Sequence, residues 1–140
     1  MNKKGPIVVI EDDEDDRHIL DMVFKELNYK NELNFFDDGH KAIAYLQRED
    51  VMPFLVISDI NLPKLNGFEL RDLIYTDDTL RKKSFPFIFL TTSSNRQMIK
   101  EAYDNSVQGF FIKPDSVENL KENLRAIIEY WRWGYTPSLF

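Results

Sequence analysis

Five short apolar runs divide the chain: Ile7-Val8-Val9-Ile10, Leu33-Asn34-Phe35-Phe36, Phe54-Leu55-Val56-Ile57, Phe87-Ile88-Phe89-Leu90 and Gly109-Phe110-Phe111-Ile112. Four of them are continuous rather than alternating, which predicts strands buried on both faces, as in a parallel sheet covered by helices. The second run is more mixed and is expected nearer a sheet edge. Between the runs the apolar positions move to helical spacing. Ile19, Met22, Val23 and Leu27 form one stripe, and Ala42, Ile43 and Leu46 a second, after the turn signal Asp37-Asp38-Gly39. Phe68, Leu70, Leu73 and Ile74 follow Gly67, and Met98, Ala102 and Tyr103 follow Ser93-Ser94-Asn95. The last stripe is the clearest: Val117, Leu120, Leu124, Ile127, Ile128 and Trp131, with Ser116 as its N-cap. The order is strand then helix, five times. Right-handed crossovers lay helices on both faces, so this order predicts an α/β fold, a doubly wound, five-stranded parallel sheet.

The chain has 140 residues, of which 43% are hydrophobic, enough for one domain with its own core. No internal repeat, linker or low-complexity tract interrupts the pattern. A single domain over 1–140 is expected, with its core at about 6–132 and an aromatic tail at about 133–140. Cysteine is absent, which excludes disulfide scaffolds, thiolate nucleophiles, iron–sulfur clusters and Cys-type zinc sites. The net charge of −6 argues against nucleic acid and against an anionic membrane surface as partners. The run at Ile7–Ile10 is too short for a signal-peptide core, and no stretch approaches the ~20 apolar residues of a membrane span. A cytoplasmic location is therefore expected.

In a doubly wound sheet, ligands sit beyond the carboxyl ends of the strands. Glu11 and Asp12 follow the first run, inside an unbroken acidic block from Glu11 to Asp16. Asp59 follows the third run, then Ile60-Asn61-Leu62-Pro63; Thr91, Thr92 and Ser93 close the fourth; Lys113 and Pro114 close the fifth. Singly, each has an ordinary reading. Acids favour helix N-termini, an Asp often caps a turn, and Thr or Ser often caps the next helix. Together they form a specific set. Clustered carboxylates repel unless a cation sits among them, and oxygen-only ligands with room for water suit Mg²⁺. A carboxylate oxygen can also act as a nucleophile toward phosphorus. The phosphoryl group then needs a divalent ion, an ammonium and a hydroxyl to spread its charge.

The stretches Ile7–Asp13, Val56–Pro63 with Gly67 following, Phe89–Thr92 and Gly109–Pro114 resemble the receiver domain of two-component response regulators, over nearly the whole chain. The resemblance implies a flavodoxin-like strand order 2-1-3-4-5, with Asp59 as phosphoacceptor. It implies Mg²⁺ (or Mn²⁺) held by Glu11, Asp12, Asp59 and the backbone carbonyl of Asn61. Lys113, Thr91 and Thr92 become phosphate-binding residues, Thr91 and Phe110 the switch pair, and the bond before Pro114 a cis peptide. Two departures stand out: the switch aromatic is Phe where Tyr is common, and Thr92 is larger than the Ala or Gly often found there. The third acid, Asp13, leaves the metal assignment open by one residue, with the register favouring Asp12.

The implied function is that of a response regulator rather than an enzyme, phosphorylated by a sensor histidine kinase or phosphotransfer protein and acting on a downstream protein target. No output module follows the last helix, as in stand-alone chemotaxis-type and phytochrome-associated receivers. Tyr130, Trp131, Trp133, Tyr135 and Phe140 concentrate near the end. They suggest a homodimer through this tail and the face of the fourth helix, fifth strand and fifth helix, against the alternative that the tail packs on its own subunit. Two rival functions are a degenerate receiver that only binds protein and an aspartyl-phosphate-forming phosphatase. Asn61, two residues after Asp59, cannot shuttle a proton as the phosphatase would require.

Overall fold

In the computed structural model, residues 1–92 and 94–137 are described; Ser93 and Phe140, both named above, lie outside the described residues. The elements are β1 (Ile7–Ile10), α1 (Glu14–Leu27), β2 (Leu33–Phe36), α2 (Gly39–Leu46), β3 (Leu55–Ser58), α3 (Gly67–Thr76), α4 (Asp78–Lys83), β4 (Phe87–Thr91), α5 (Arg96–Asp104), β5 (Gly109–Ile112) and α6 (Val117–Trp133). The strands form one all-parallel sheet of order β2-β1-β3-β4-β5. The strand order reverses between β1 and β3, so the switch point lies where Glu11, Asp12 and Asp59 leave the sheet.

Each strand feeds two cores by alternation. Val8, Ile10, Val56, Phe87 and Phe89 pack with α2, α3, α4 and α5 on one face. Ile7, Val9, Leu55, Ile57, Ile88 and Leu90 pack with α1 and α6 on the other. The second run is an edge strand as expected, with all four residues half-buried. The fifth run is also an edge, and Ile112 is 51% exposed, so its continuous apolar pattern overstated its burial.

The helical stripes are shifted in places. On α1 the buried residues are Leu20, Val23 and Phe24, while Ile19 and Met22 face solvent. On α3, Arg71 is buried and Leu73 exposed; on α5 and α6, Tyr103 and Val117 are exposed. A sixth helix, α4, was not anticipated. It has six residues and one fully inward apolar position, Leu80, too little for a periodic signal. Asp77 ends α3 and also caps α4, accepting from the Leu80 N–H at 3.0 Å. The buried ammonium of Lys83 donates to the carbonyls of Leu46, Arg48 and Val51, fastening α4 to the end of α2. The last helix runs through Trp133, one residue further than expected, and Gly134 caps it. Among the described residues no helix is long and apolar enough to cross a membrane.

Gly67 places the loop after β3. A Cβ there would lie 2.7 Å from the Asp59 carbonyl oxygen, 2.8 Å from Ile60 Cα and 2.8 Å from Phe89 Cε1. Two of these are backbone atoms of the loop that carries Asp59, so they cannot yield cheaply. Gly67→Ala is expected to cost roughly 1–3 kcal/mol by overpacking. Gly39→Ala meets only the flexible end of Leu65, at 3.1 Å, and is expected to cost less. Urea denaturation of both variants checks the ranking.

Candidate functional site

Strand parity decides which side chains meet. Val9, Ile57 and Phe111 all point to the α1/α6 face, and two residues further along their strands come Glu11, Asp59 and Lys113. Register keeps them level. Ile10 pairs with Ser58, and the Asp59 N–H then bonds the Ile10 carbonyl at 3.0 Å. Across the sheet, the Lys113 N–H bonds the Thr91 carbonyl at 2.8 Å.

The Asp59 carboxylate is almost buried. Its Oδ1 accepts from the backbone N–H of Ile60 at 2.7 Å and of Asn61 at 3.4 Å. Its Oδ2 faces the Lys113 ammonium at 3.5 Å. Lys113 also donates to Glu11 Oε1 and to Asp16 Oδ2, the latter at 3.0 Å. Carboxylate oxygens of Glu11, Asp12 and Asp59 lie within 4.8 Å of one another. Asp13 stands apart as the N-cap of α1, accepting from the Asp16 N–H at 2.9 Å. Of the two acids, Asp12 is the one that lies with Glu11 and Asp59. Arg17 holds the loop between β1 and α1, with Nη1 donating to the carbonyls of Glu11 at 2.9 Å and Asp12 at 2.8 Å.

Thr91 follows Phe89 on the opposite face of the sheet. It is 0% exposed, and its Oγ1 has no hydrogen-bond partner among the described residues. Phe110 is half-buried and meets Phe89 edge-on, with ring centroids 6.3 Å apart. Thr92 is exposed, as is Asn61. The expectation of a cis bond before Pro114 is corrected: the described residues contain no cis peptide, so the Lys113–Pro114 bond is trans. The two isomers of an X–Pro bond differ by only about 0.5–1 kcal/mol, so a local motif does not force one of them.

The electrostatics follow from burial. Glu11 is 1% exposed, and burial pushes its carboxyl well above the usual range. The Asp59 charge adds to that rise, while the hydrogen bond and charge of Lys113 oppose it. Burial also works against the Lys113 ammonium, but its bonds to Glu11 and Asp16 and the charges of Glu11 and Asp59 outweigh it, so its pKa is raised. For Asp16, burial is outweighed by Lys113 and the net shift is downward. The second oxygen of Glu11, Oε2, is buried and has no partner among the described residues. An orphaned carboxylate oxygen beside two further carboxylates is the donor set of a hard divalent cation, so these residues fit Mg²⁺ or Mn²⁺.

Sequence reasoning missed two contributors, Asp16 and Arg17. The signal for Asp16 was present: with Asp13 as N-cap, Asp16 occupies the third position of the first turn, whose backbone that cap fixes.

The fold and this site, an aspartate at the switch point of a flavodoxin-like sheet facing a lysine and two more acids, are those of a signalling receiver domain. The chain belongs to the response regulator receiver domain family, which it matches over residues 7–125. It is 32% identical to the probable methanogenesis regulatory protein FilR2 of Methanothrix harundinacea, over 94% of this chain and 87% of that one. It is 31% identical to the chemotaxis protein CheY-3 of Vibrio cholerae, over 92% and 95%. Among solved structures, the phosphorylated cyanobacterial phytochrome response regulator RcpA superposes with a TM-score of 0.82 at 29% identity, covering 96% of this chain and 99% of that one. The Mn²⁺-bound form of response regulator Rcp1 gives 0.79 at 27%, with coverage of 96% and 99%. Receiver domains are signalling proteins of two-component systems, working with histidine kinases or phosphotransfer proteins and with downstream targets.

A cation that binds only the folded site stabilises by mass action. Mg²⁺ at ten times its dissociation constant is expected to add about 1.4 kcal/mol and raise the melting temperature. Asp59→Asn removes one of the clustered charges, so it is expected to stabilise the metal-free protein and shrink the Mg²⁺ increment. Thermal melts at low ionic strength with and without Mg²⁺ read both effects; an unchanged wild-type midpoint would count against a metal site.

Proposed function

We propose that this protein is a response regulator that accepts a phosphoryl group on Asp59, in a Mg²⁺-dependent reaction, and thereby switches its protein contacts. The observation that carries the reading is the nearly buried Asp59 carboxylate facing the Lys113 ammonium and the Glu11 and Asp12 carboxylates. Two backbone N–H groups fix one Asp59 oxygen and so orient the other. The donor is a phosphohistidine of a kinase or phosphotransfer protein. An Asp59 oxygen forms the new bond to phosphorus as the P–N bond breaks, and the electron pair returns to the imidazole. Glu11, Asp12, Asp59 and the Asn61 carbonyl would hold a divalent ion, which would supply charge neutralisation at the site. Lys113 takes one phosphoryl oxygen.

Thr91 donates its hydroxyl to another, and its present lack of a partner is what makes that movement favourable. A charge-assisted bond of roughly 1.5–3 kcal/mol is enough to shift two nearby conformers. Phe110 then turns into the space that Thr91 leaves; with no phenolic hydroxyl, it responds to packing alone. Exposed Thr92 narrows the approach of donors and of water. This chemistry belongs in the cytoplasm, where kinases and donors of this kind act.

Incubation with a small phosphodonor and Mg²⁺ is expected to add one phosphoryl group by intact mass, and Asp59→Asn to abolish the addition. Equal labelling of Asp59→Asn at another residue would defeat the assignment. No labelling of the wild type would favour a receiver that only binds protein.

The aromatic end supports a second, compatible reading, a homodimer through the α5, β5 and α6 face. Tyr130, Trp133 and Tyr135 are 69%, 77% and 85% exposed, and large exposed aromatics beside an arginine are typical of interface centres. Lys3 lies over the Tyr135 ring at 4.0 Å and donates to the Arg132 carbonyl, which favours the rival reading of a tail packed on its own subunit. Light scattering over a concentration series, before and after phosphorylation, is expected to show dimers that are lost on deleting residues after Arg132. Monomers in both states would leave only other proteins as partners.

A further inference from the structure

Asp16 has no part in the scheme above, yet it makes the best-formed side-chain contact with Lys113 that can be given up. The ammonium has three N–H donors and three carboxylates around it: Glu11, Asp16 at 3.0 Å and Asp59 at 3.5 Å. The longest of these contacts is the one to Asp59. A phosphoryl group on Asp59 replaces the long Oδ2 contact with several charged oxygens, and a lysine drawn toward them moves away from its other two carboxylates, so one of these yields. Glu11 cannot yield cheaply, because its side chain is 2% exposed and sits at the end of a central strand. Asp16 can, because its side chain is 35% exposed and water can replace the lysine. Its backbone need not move, since Asp13 caps it and Arg17 holds the preceding loop.

We propose that Asp16 is a positioning residue that holds Lys113 in the unphosphorylated protein and competes with the phosphoryl group for the lysine ammonium. This rests on the phosphoacceptor reading of Asp59. The ion pair with Asp16 exists fully only before phosphorylation, so it favours that state and sets the phosphorylated state back by the same amount. Asp16 thereby tunes how readily the site loads, without touching phosphorus.

The experiment is a titration of the full chain with beryllofluoride, a phosphoryl mimic, at saturating Mg²⁺, read by fluorine NMR of the bound species. Melting curves check that each variant is folded. Asp16→Asn is expected to bind the mimic roughly two- to fivefold more tightly, the upper range of a partly exposed ion pair. Asp15→Asn removes a neighbouring exposed acid and is expected to change affinity less than twofold. A general loss of structure would weaken binding, so tightening is a readout that damage does not produce. Unchanged or weaker binding in Asp16→Asn overturns the proposal, and so does equal tightening in Asp15→Asn, which would mark a diffuse charge effect. If the wild type binds no beryllofluoride, the phosphoacceptor reading itself fails and this inference falls with it; wild-type binding with no response to Asp16→Asn defeats the Asp16 role alone.

Discussion

The Lys113 ammonium lies among three carboxylates, and the rest of the site is arranged around that fact. Glu11, Asp12 and Asp59 leave the sheet side by side at the switch point, and close carboxylates with no counter-charge repel strongly. One buried cation on β5 makes the arrangement tolerable. It does so from the far edge of the sheet, two strands from Asp59, so β4 and β5 must keep their register for the charges to cancel. The surplus of negative charge that remains would also give a divalent ion its hold. A site fully neutralised by its own side chains would have no use for one.

The sheet divides the work between its faces. Glu11, Asp59 and Lys113 continue the α1/α6 face, while Thr91 and Phe110 belong with the Phe87–Phe89 core under α3 and α5. The carboxylates and lysine therefore meet on one side, and the two residues proposed as the switch pack on the other. The two sides meet at the carboxyl edge, where Thr91 is the last residue of β4 and keeps a buried, unpartnered hydroxyl. A phosphoryl group at Asp59 can reach the second core only around that edge.

Much of this was legible in the residues. Continuous apolar runs marked the central strands, and the acids, hydroxyl and lysine all stood at run ends, where a parallel sheet presents ligands. What escaped was short or depended on packing. The helix at Asp78–Lys83 spans less than two turns and buries one leucine, and much of its hold comes from Lys83 bonding three carbonyls, a tertiary contact with no periodic trace. On α1, Ile19 and Met22 carry the right spacing but face solvent, because Leu20, Val23 and Phe24 lie one position round the helix, and hydrophobicity alone did not choose between them. The apolar run of β5 reads like a central strand although nothing pairs with its outer edge.

Asp16 shows the remaining limit. Its acidity was plain in the block from Glu11 to Asp16, but a block does not say which acid turns inward. The capping of α1 decides it. Once Asp13 accepts the Asp16 N–H, the first turn is fixed; Glu14 and Asp15 are left exposed, and Asp16 reaches the lysine. A local hydrogen bond, set by ordinary helix-capping preference, thus selects which of several chemically alike carboxylates shares the Lys113 ammonium. The same bond keeps Asp13 out of the carboxylate cluster. Two questions that composition leaves open, which acid joins the carboxylate cluster and which acid bonds the lysine, therefore have one structural answer.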